Sequence, residues 1–485
     1  MPWLAWRSPP FYVALAGFGI PAQRTLYMLA IVVVAAFCGR RRDTVRCLMY
    51  ALAGVLAIDP WAVITAGFWL SFGAVGALLL VSSGRFKAGG RIGTWLRTQG
   101  AVTIFSLPLL LGLFGQFSLV SPLANAMAIP LVSMVVTPLA LLYIVLPIPW
   151  IIEAGQLVMR GLMWVLALMA DSSFAVWQQA VPPHWLIVLA LLGCAWACLP
   201  RGMPGRWAAL LTVPVLLSWS PRRPDVGEVL MTVIDVGQGL AVHVQTATRD
   251  LLFDAGPAFG GVSDAGERIV VPYLRAQGVQ RIDGLIVSHG DQDHAGGAGA
   301  VMKLIPTAWW AASLGPEHSL HDSPVLPIPC RRGLAWSWDG VQFDLLHPDE
   351  ASSRSSNDGS CVLRVRGAYG TLLLPGDIEA RAERDILAAF GDGLRADVLI
   401  APHHGSRTSS RRDFVAAVSP QVTVFSVGHR NRFRHPSQVV VARYEANGAT
   451  LTRTDEDGAV RILLGVDGLH LARWRNERRR YWYGQ

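Results

Sequence analysis

Charge is scarce in this 485-residue sequence, and scarcest in its first half. Only 16% of the residues are charged, against roughly 25% in ordinary soluble domains, while 52% are hydrophobic and mean hydropathy is +0.38. Residues 1–220 hold four of the 34 acidic side chains (Asp43, Asp59, Glu153 and Asp171) and thirteen of the 42 basic ones. No charged residue at all stands between Arg97 and Glu153. The formal net charge of +8 therefore belongs to the apolar half, and the remainder, with 29 basic and 30 acidic residues, is close to neutral. This weakens the reading of the basic balance as a nucleic-acid-binding domain, because Lys and Arg in a membrane half more often mark cytoplasmic loops. Cysteine is also sparse: there are six, and no pair has zinc-finger spacing. Cys194 and Cys198 lie in an apolar run and read as small core residues. Cys330 and Cys361 can pair where the second half faces an oxidising compartment. Met1–Pro10 is aromatic and proline-rich rather than basic and then apolar, so no cleavable signal is read there.

What the first half does have is long apolar runs. About 20 apolar residues cross a bilayer, so the uncharged gap holds two crossings, near 101–120 and 123–147. Others are expected near 25–39, 47–58, 61–82, 150–170, 184–199 and 207–219. Pro108, Pro130 and Pro138 fall inside these runs, where they either kink helices or break them along a polar path. Arg40, Arg41, Arg42 and Arg46 form one basic loop, Arg85, Lys87, Arg91 and Arg97 a second, and Arg201 and Arg206 a third. With eight crossings all three face the cytoplasm and the second half lies outside. Arg222 and Arg223, just after the last run, count against that order. Glu153, Gln156 and Arg160 share one helix face, at membrane depth or at the interface.

From Gly227 the pattern changes to short apolar or alternating runs bounded by Gly, Asp and Pro, with helical stretches at 268–277 and 378–390 between them. Strands alternating with helices imply a layered α/β domain. One such run, Leu285 to Ser288, ends in His289-Gly-Asp291-Gln-Asp293-His294, four candidate ligands within six residues. Further candidates follow later strands: Asp377 after Leu372–Gly376, His403 and His404 after Val398–Pro402, and His435 after Val422–Val427. Imidazoles and carboxylates delivered from several strand ends suit two divalent cations, zinc or manganese. Adjacent side chains diverge, so only one of His403 and His404 is expected to bind metal, with His404 favoured. Arg430, Arg432 and Arg434 interleave with Phe433 beside His435, and Arg473, Arg475 and Arg478–Arg480 with Trp474, Tyr481 and Trp482 form a basic-aromatic tail. Positive charge beside stacking platforms is how single strands of nucleic acid are held; a solvated or headgroup-binding tail is the equal alternative. His243 and His347 read as structural, and His318 and His321 as solvated loop residues.

At these residues the chain resembles the metallo-β-lactamase superfamily. His289-x-Asp291-x-Asp293-His294 is similar to its HxHxDH motif, with Asp291 in place of the second histidine. Asp235-Val-Gly-Gln-Gly239, Asn357-Asp-Gly-Ser360-Cys361, Pro375-Gly-Asp377, His403-His-Gly-Ser406, His435-Pro436 and Pro21-Ala-Gln-Arg24 together resemble the ComEC family of competence proteins. The resemblance implies a multi-pass α-helical membrane domain over 1–222 with seven or eight helices, then an αββα-sandwich hydrolase domain over 223–475, then the tail at 476–485. It implies that His289 and Asp291 serve one metal, Asp293 and His294 the other, with Asp377 bridging, His403 or His404 completing the set, and Asp235 and Asp254 in support. Asp293, His404 and His435 take the catalytic roles. Asn357, Ser360, Arg432 and Arg434 take the substrate, because Asn357 to Ser360 stand where the superfamily has an isolated histidine. Leu240 stands where many relatives have Asp.

The function so implied is uptake of single-stranded DNA across the inner membrane. The hydrolase domain, on the extracytoplasmic side, cuts the strand left behind, among lipid and the DNA-receptor and helicase partners of such machinery. A DNA-binding conduit with a degenerate domain and a membrane-tethered hydrolase of a small ester are the alternatives. Against the family pattern an N-terminal soluble module and early membrane helices are missing, so the chain reads as N-terminally shortened.

Overall fold

The apolar runs of the first half fold as helices. The computed structural model describes residues 20–37, 44–82, 90–172, 174–199, 203–261, 263–322, 325–349 and 357–480. Arg40–Arg42, Arg85, Lys87, Arg201, Tyr481 and Trp482 lie outside the described residues, and of Pro21–Arg24 only the helical backbone is described. The helices are α1 (Ile20–Phe37), α2 (Thr44–Ile58), α3 (Ala66–Ser82), α4 (Arg91–Phe114), α5 (Ser121–Leu131), α6 (Thr137–Val145), α7 (Pro149–Ala170), α8 (His184–Cys198) and the short α9 (Thr212–Leu217). Among the described residues three stretches are long and apolar enough to cross a membrane: Gly93–Phe114, Ser121–Val145 and Pro149–Ala170. The second is one continuous helix whose middle, Val132–Val136, is π-wound between Pro130 and Pro138. Proline removes an amide donor from the helix, and the Ser133 hydroxyl turns back to donate to the Ile129 carbonyl at 2.6 Å. Glu153, Gln156 and Arg160 all lie exposed on α7.

The last expected crossing is not a full helix. Residues Ala208–Leu211 form a 3-10 turn and α9 adds only six residues. At about 1.5–2 Å rise per residue that length falls well short of the ~30 Å hydrocarbon core. The segment instead packs on α8, Leu216 being fully buried with Leu111, Leu186 and Ile187. Gly193 allows this, since a Cβ there would sit 2.6 Å from the Ala209 carbonyl oxygen. The loop-charge count that put the second half outside therefore loses its final step. Arg223 belongs to the following domain, donating to Asp250 and the Ala247 carbonyl.

Residues Pro221–Gln485 form a separate compact unit. Its strands in chain order begin after a short antiparallel pair in the first unit, β1 (Gln116–Ser118) and β2 (Val176–Gln178). They are β3 (Val229–Val233), β4 (Val242–Gln245), β5 (Asp250–Phe253), β6 (Gly284–Val287), β7 (Trp310–Ala312), β8 (Ile328–Pro329), β9 (Ala335–Trp338) and β10 (Val341–His347). Then come β11 (Val362–Gly367), β12 (Gly370–Leu374), β13 (Val398–Ile400), β14 (Val422–Phe425), β15 (Thr450–Arg453), β16 (Val460–Gly465) and β17 (Gly468–Arg473). One sheet runs β8-β7-β6-β5-β4-β3-β16-β17 and the other β9 through β15 in sequence order.

The period of two in side-chain direction explains the layers. Leu251, Phe253 and Ile286 enter a core shared with Leu372, Leu374, Val398 and Ile400 of the other sheet. Their neighbours Leu252, Leu285 and Val287 face out, onto α10 (Val271–Ala276) and α12 (Ala298–Leu304). Leu373 and Leu399 likewise face α13 (Ala380–Phe390), α14 (Arg412–Val418) and α15 (Gln438–Ala446). This is the αββα sandwich expected. Both sheets include parallel stretches, β5-β6-β7-β8 and β12-β13-β14-β15. Loops leaving the ends of these strands carry the polar cluster described next.

Candidate metal centre

Four loops meet, each launched by a buried strand. After β5, Asp254 takes a left-handed backbone (φ 58°) and is fully buried. It accepts from the Ser288 amide at 2.6 Å, the Ser288 hydroxyl at 2.8 Å and His294 Nδ1 at 2.7 Å. After β6, Ser288 and His289 are buried, and the turn α11 (Gln292–Ala295) carries Asp293 and His294. After β12, Gly376 adopts φ 60°, and a Cβ there would lie 2.9 Å from that of Ser288 and 3.0 Å from that of Ser360. Only glycine lets the Asp377 loop close between those two serines. After β13, His403 and His404 both have positive φ, 49° and 54°, in a single turn. Two successive non-glycine residues held there are strained, which is common where function fixes side chains.

The imidazoles and carboxylates converge. His294 Nε2 lies 3.1 Å from Asp377 Oδ1 and 3.2 Å from His404 Nε2. His404 Nε2 is 3.4 Å from Asp293 Oδ2 and 3.6 Å from Asp377 Oδ2. One ligand atom from each of Asp293, His294, Asp377 and His404 falls within 4.8 Å of all the others. His289 lies beside His294, the rings tilted by 50° with centroids 4.3 Å apart, and its Nε2 is 3.6 Å from Asp291 Oδ2. His403 turns aside: its Nδ1 meets Glu379 at 3.2 Å, and its Nε2 stands 3.8 Å from Asp377.

Burial and charge set the protonation of this cluster. Burial works against charge on His294, but Asp377 and Asp254 overcome it and raise its pKa well above the usual imidazole value. His404 rises in the same way, through Asp377 and Asp293. Burial likewise opposes ionisation of Asp377 and Asp293. The histidines nonetheless hold Asp377 well below the usual range, and the His404 hydrogen bond with the His294 charge brings Asp293 down to about 2. His435 goes the other way, pushed down to about 4 by burial and by His404 and His403.

A divalent cation fits these residues. The Nδ1 atoms of His294 and His404 each face an acceptor, Asp254 and the Ser426 carbonyl at 2.7 Å, which turns both Nε2 atoms into the cluster. That is the arrangement by which protein acceptors orient metal-binding imidazoles. Two Nε2 atoms 3.2 Å apart face each other, so without a cation a proton has to sit between them. His289 Nε2 is buried with no hydrogen-bond partner among the described residues.

Other candidates are placed differently. Ser360 is fully buried behind Asp377, its hydroxyl accepting from the Asp377 amide at 3.2 Å. Asn357 opens the short turn whose Asp358 carboxylate receives the amides of Glu379 and Ala382 and so caps α13. Asp235 stands apart from the cluster, pairing with Arg475 at 3.1 Å; its pKa is raised by burial. Arg473 is also tied down, donating to the Leu451 carbonyl, so part of the basic C-terminal stretch belongs to the fold. Arg432 and Arg434 are exposed, with Arg432 over Phe433 at 4.7 Å and Phe433 stacked on His435 at 5.7 Å. Sequence reasoning missed Ser288, whose hydroxyl touches Asp254, His289 and His294. It also missed His318, which bonds the Gly290 carbonyl at 3.1 Å instead of facing water. A serine directly before the ligand run was the signal for the first; nothing local marks the second.

A buried imidazole–carboxylate cage at the strand ends of an αββα sandwich defines a metallo-β-lactamase-type domain, and the Metallo-beta-lactamase superfamily model matches residues 234–429. The Competence protein family model matches residues 4–204. "Competence protein ComA" of Neisseria gonorrhoeae is 40% identical over 96% of this chain and 65% of its own length. "Uncharacterized protein YcaI" of Escherichia coli is 30% identical over 100% and 65%. "ComE operon protein 3" of Bacillus subtilis is 27% identical over 93% and 62%. In sequence and domain order the chain is similar to the ComA/ComEC-type competence proteins, and it spans a little under two thirds of the length of these relatives.

Proposed function

We propose that the chain serves uptake of single-stranded DNA across the bacterial inner membrane, and that its second domain hydrolyses phosphodiester bonds of the strand not taken up. The observation that carries the hydrolytic reading is the convergence of Asp293, His294, Asp377 and His404 from three loops. His289 and Asp291 would hold one divalent cation, Asp293, His294 and His404 another, with Asp377 shared. Such cations, when bound, supply Lewis acidity and an acidified water. Asp293 stays a carboxylate at neutral pH and so remains a ligand. His435, neutral at that pH, offers a ring nitrogen to a phosphate oxygen. Arg432 and Arg434 supply charge and Phe433 a stacking surface.

Purified full-length chain in detergent, given manganese or zinc, is expected to cut labelled single-stranded DNA, and excess chelator to stop it. DNA left intact with both metals while a thioester or β-lactam is consumed would transfer the reading to a small-ester hydrolase. Intact substrates throughout, with DNA still bound, would make the domain a binding module.

We place the hydrolase domain outside the cytoplasm. The support is the bond between Cys330 and Cys361, with a Cα separation of 5.8 Å, because disulfides persist in oxidising compartments. Protease added to spheroplasts is expected to remove a C-terminal epitope; full protection of that epitope would put the domain inside.

A further inference from the structure

A second polar feature adjoins the metal cluster and has no part in the reading above. Beside the His403–His404 turn lies a cavity of about 400 Å³ lined by Arg407, Thr408, Arg411, Arg412, Asp413 and Arg443 among others. Four guanidinium groups share it with one carboxylate, which Arg411 already engages through two bonds of 2.8 and 3.0 Å. Even counting Glu383, buried and accepting the amides of Ser410 and Arg411, and Glu379 at the Thr408 hydroxyl, one positive charge is in excess. Arg443 donates to the carbonyls of Ser409 and Ser410, while its Nε is buried with no hydrogen-bond partner among the described residues. Arg412 is exposed and makes no hydrogen bond or ion pair there either.

The cavity is wired to the cluster. The Thr408 hydroxyl contacts Glu379 at 2.9 Å and His403 Nδ1 at 3.2 Å. Arg407 Nε reaches Ser437, two residues past His435, at 3.3 Å. A guanidinium fork matches the paired oxygens of a phosphate. A polynucleotide with one phosphate at the metal cluster must carry the next ones past the walls of the site, and single strands are tracked by basic grooves.

We infer that this arginine cavity holds a non-scissile phosphate of the strand whose scissile phosphate lies at the metal cluster. The inference rests on the nuclease reading for the strand's placement. The test is binding of a labelled twenty-nucleotide oligothymidylate to the full-length chain in chelator, read by anisotropy across a salt series. Each phosphate contact on a single strand contributes about 0.7 to the slope of log affinity against log salt. Arg407→Gln with Arg412→Gln is expected to lower that slope by about 0.7 and the affinity about fourfold near physiological salt. Arg407→Lys with Arg412→Lys, which keeps the charges, is expected to restore most of both.

An unchanged slope in the glutamine pair overturns the inference. So does a lysine pair as weak as the glutamine pair, which marks the loss as structural. Thymidine monophosphate competing as well as the strand would make the cavity a site for free nucleotide instead, and would overturn it too. Because binding is read without metal, the two readings fail separately. A wild type that binds with the expected slope yet cuts nothing removes the hydrolytic reading alone. A wild type that cuts while the variant slope stays unchanged removes the cavity alone.

Discussion

Asp377→Ala in the full-length chain is expected to empty the metal site and to lower DNA hydrolysis by a factor on the order of 10³. Asp377 is the carboxylate common to His294, His404 and His403, at 3.1, 3.6 and 3.8 Å. Without it, two buried imidazoles lose the main charge that offsets their burial. Removing one member of a buried charge pair costs about 3–5 kcal/mol, which in binding is a factor of roughly 150 to 4,000. Elemental analysis after gel filtration reads the metal, and titration calorimetry reads the affinity. Asp377→Asn keeps the volume and the amide bond to Ser360, so it separates loss of charge from loss of packing; both variants are expected to lose the ion. A variant that keeps the ion at native affinity and still cuts DNA would remove Asp377 from the centre.

The placement of these ligands was legible because each follows an uninterrupted apolar strand. Leu285–Val287 and Val398–Ile400 are fully buried on both faces, so their sequences run apolar until the chain leaves the sheet. Where a strand is half-exposed the signal faded. Ala335–Trp338 alternates between exposed and half-buried residues and has a tryptophan at each inner position. Val460–Gly465 pairs with Val229–Val233, more than 200 residues earlier, a partner no local pattern names.

The helix Gln438–Ala446 carries three consecutive valines and reads locally as a strand; packing of Val440 and Tyr444 against the β12–β14 face decides otherwise. The 268–277 helix was expected in one piece, yet its first turn is π-wound at Gly266–Val270. Asn357 and Ser360 were expected to meet the substrate. The turn's acid, Asp358, caps a helix that begins 22 residues later, which spacing along the chain does not disclose. The apolar segment at 207–219 had the composition of a crossing without its length as a helix.

Asp254→Ala is expected to destabilise the second domain by about 3–5 kcal/mol and to lower its melting temperature by roughly 10 °C. The residue is not in the ligand cluster, yet three buried donors end on its carboxylate: the Ser288 amide, the Ser288 hydroxyl and His294 Nδ1. Alanine would leave the Ser288 amide unsatisfied, would take the carboxylate from the Ser288 hydroxyl and His294 Nδ1, and would itself have to hold φ 58°, which costs a residue with a Cβ about 1–2 kcal/mol. The same bonds orient His294, so the ion is expected to weaken along with the fold. Asp254→Asn tolerates the left-handed backbone and keeps one acceptor oxygen, but its NH2 group faces donors; it is expected to melt between the wild type and alanine. A thermal melt of the full-length chain with and without chelator reads both effects. If the alanine variant melts within a degree or two of the wild type and still binds its ion, Ser288 and His294 are held by something other than this carboxylate.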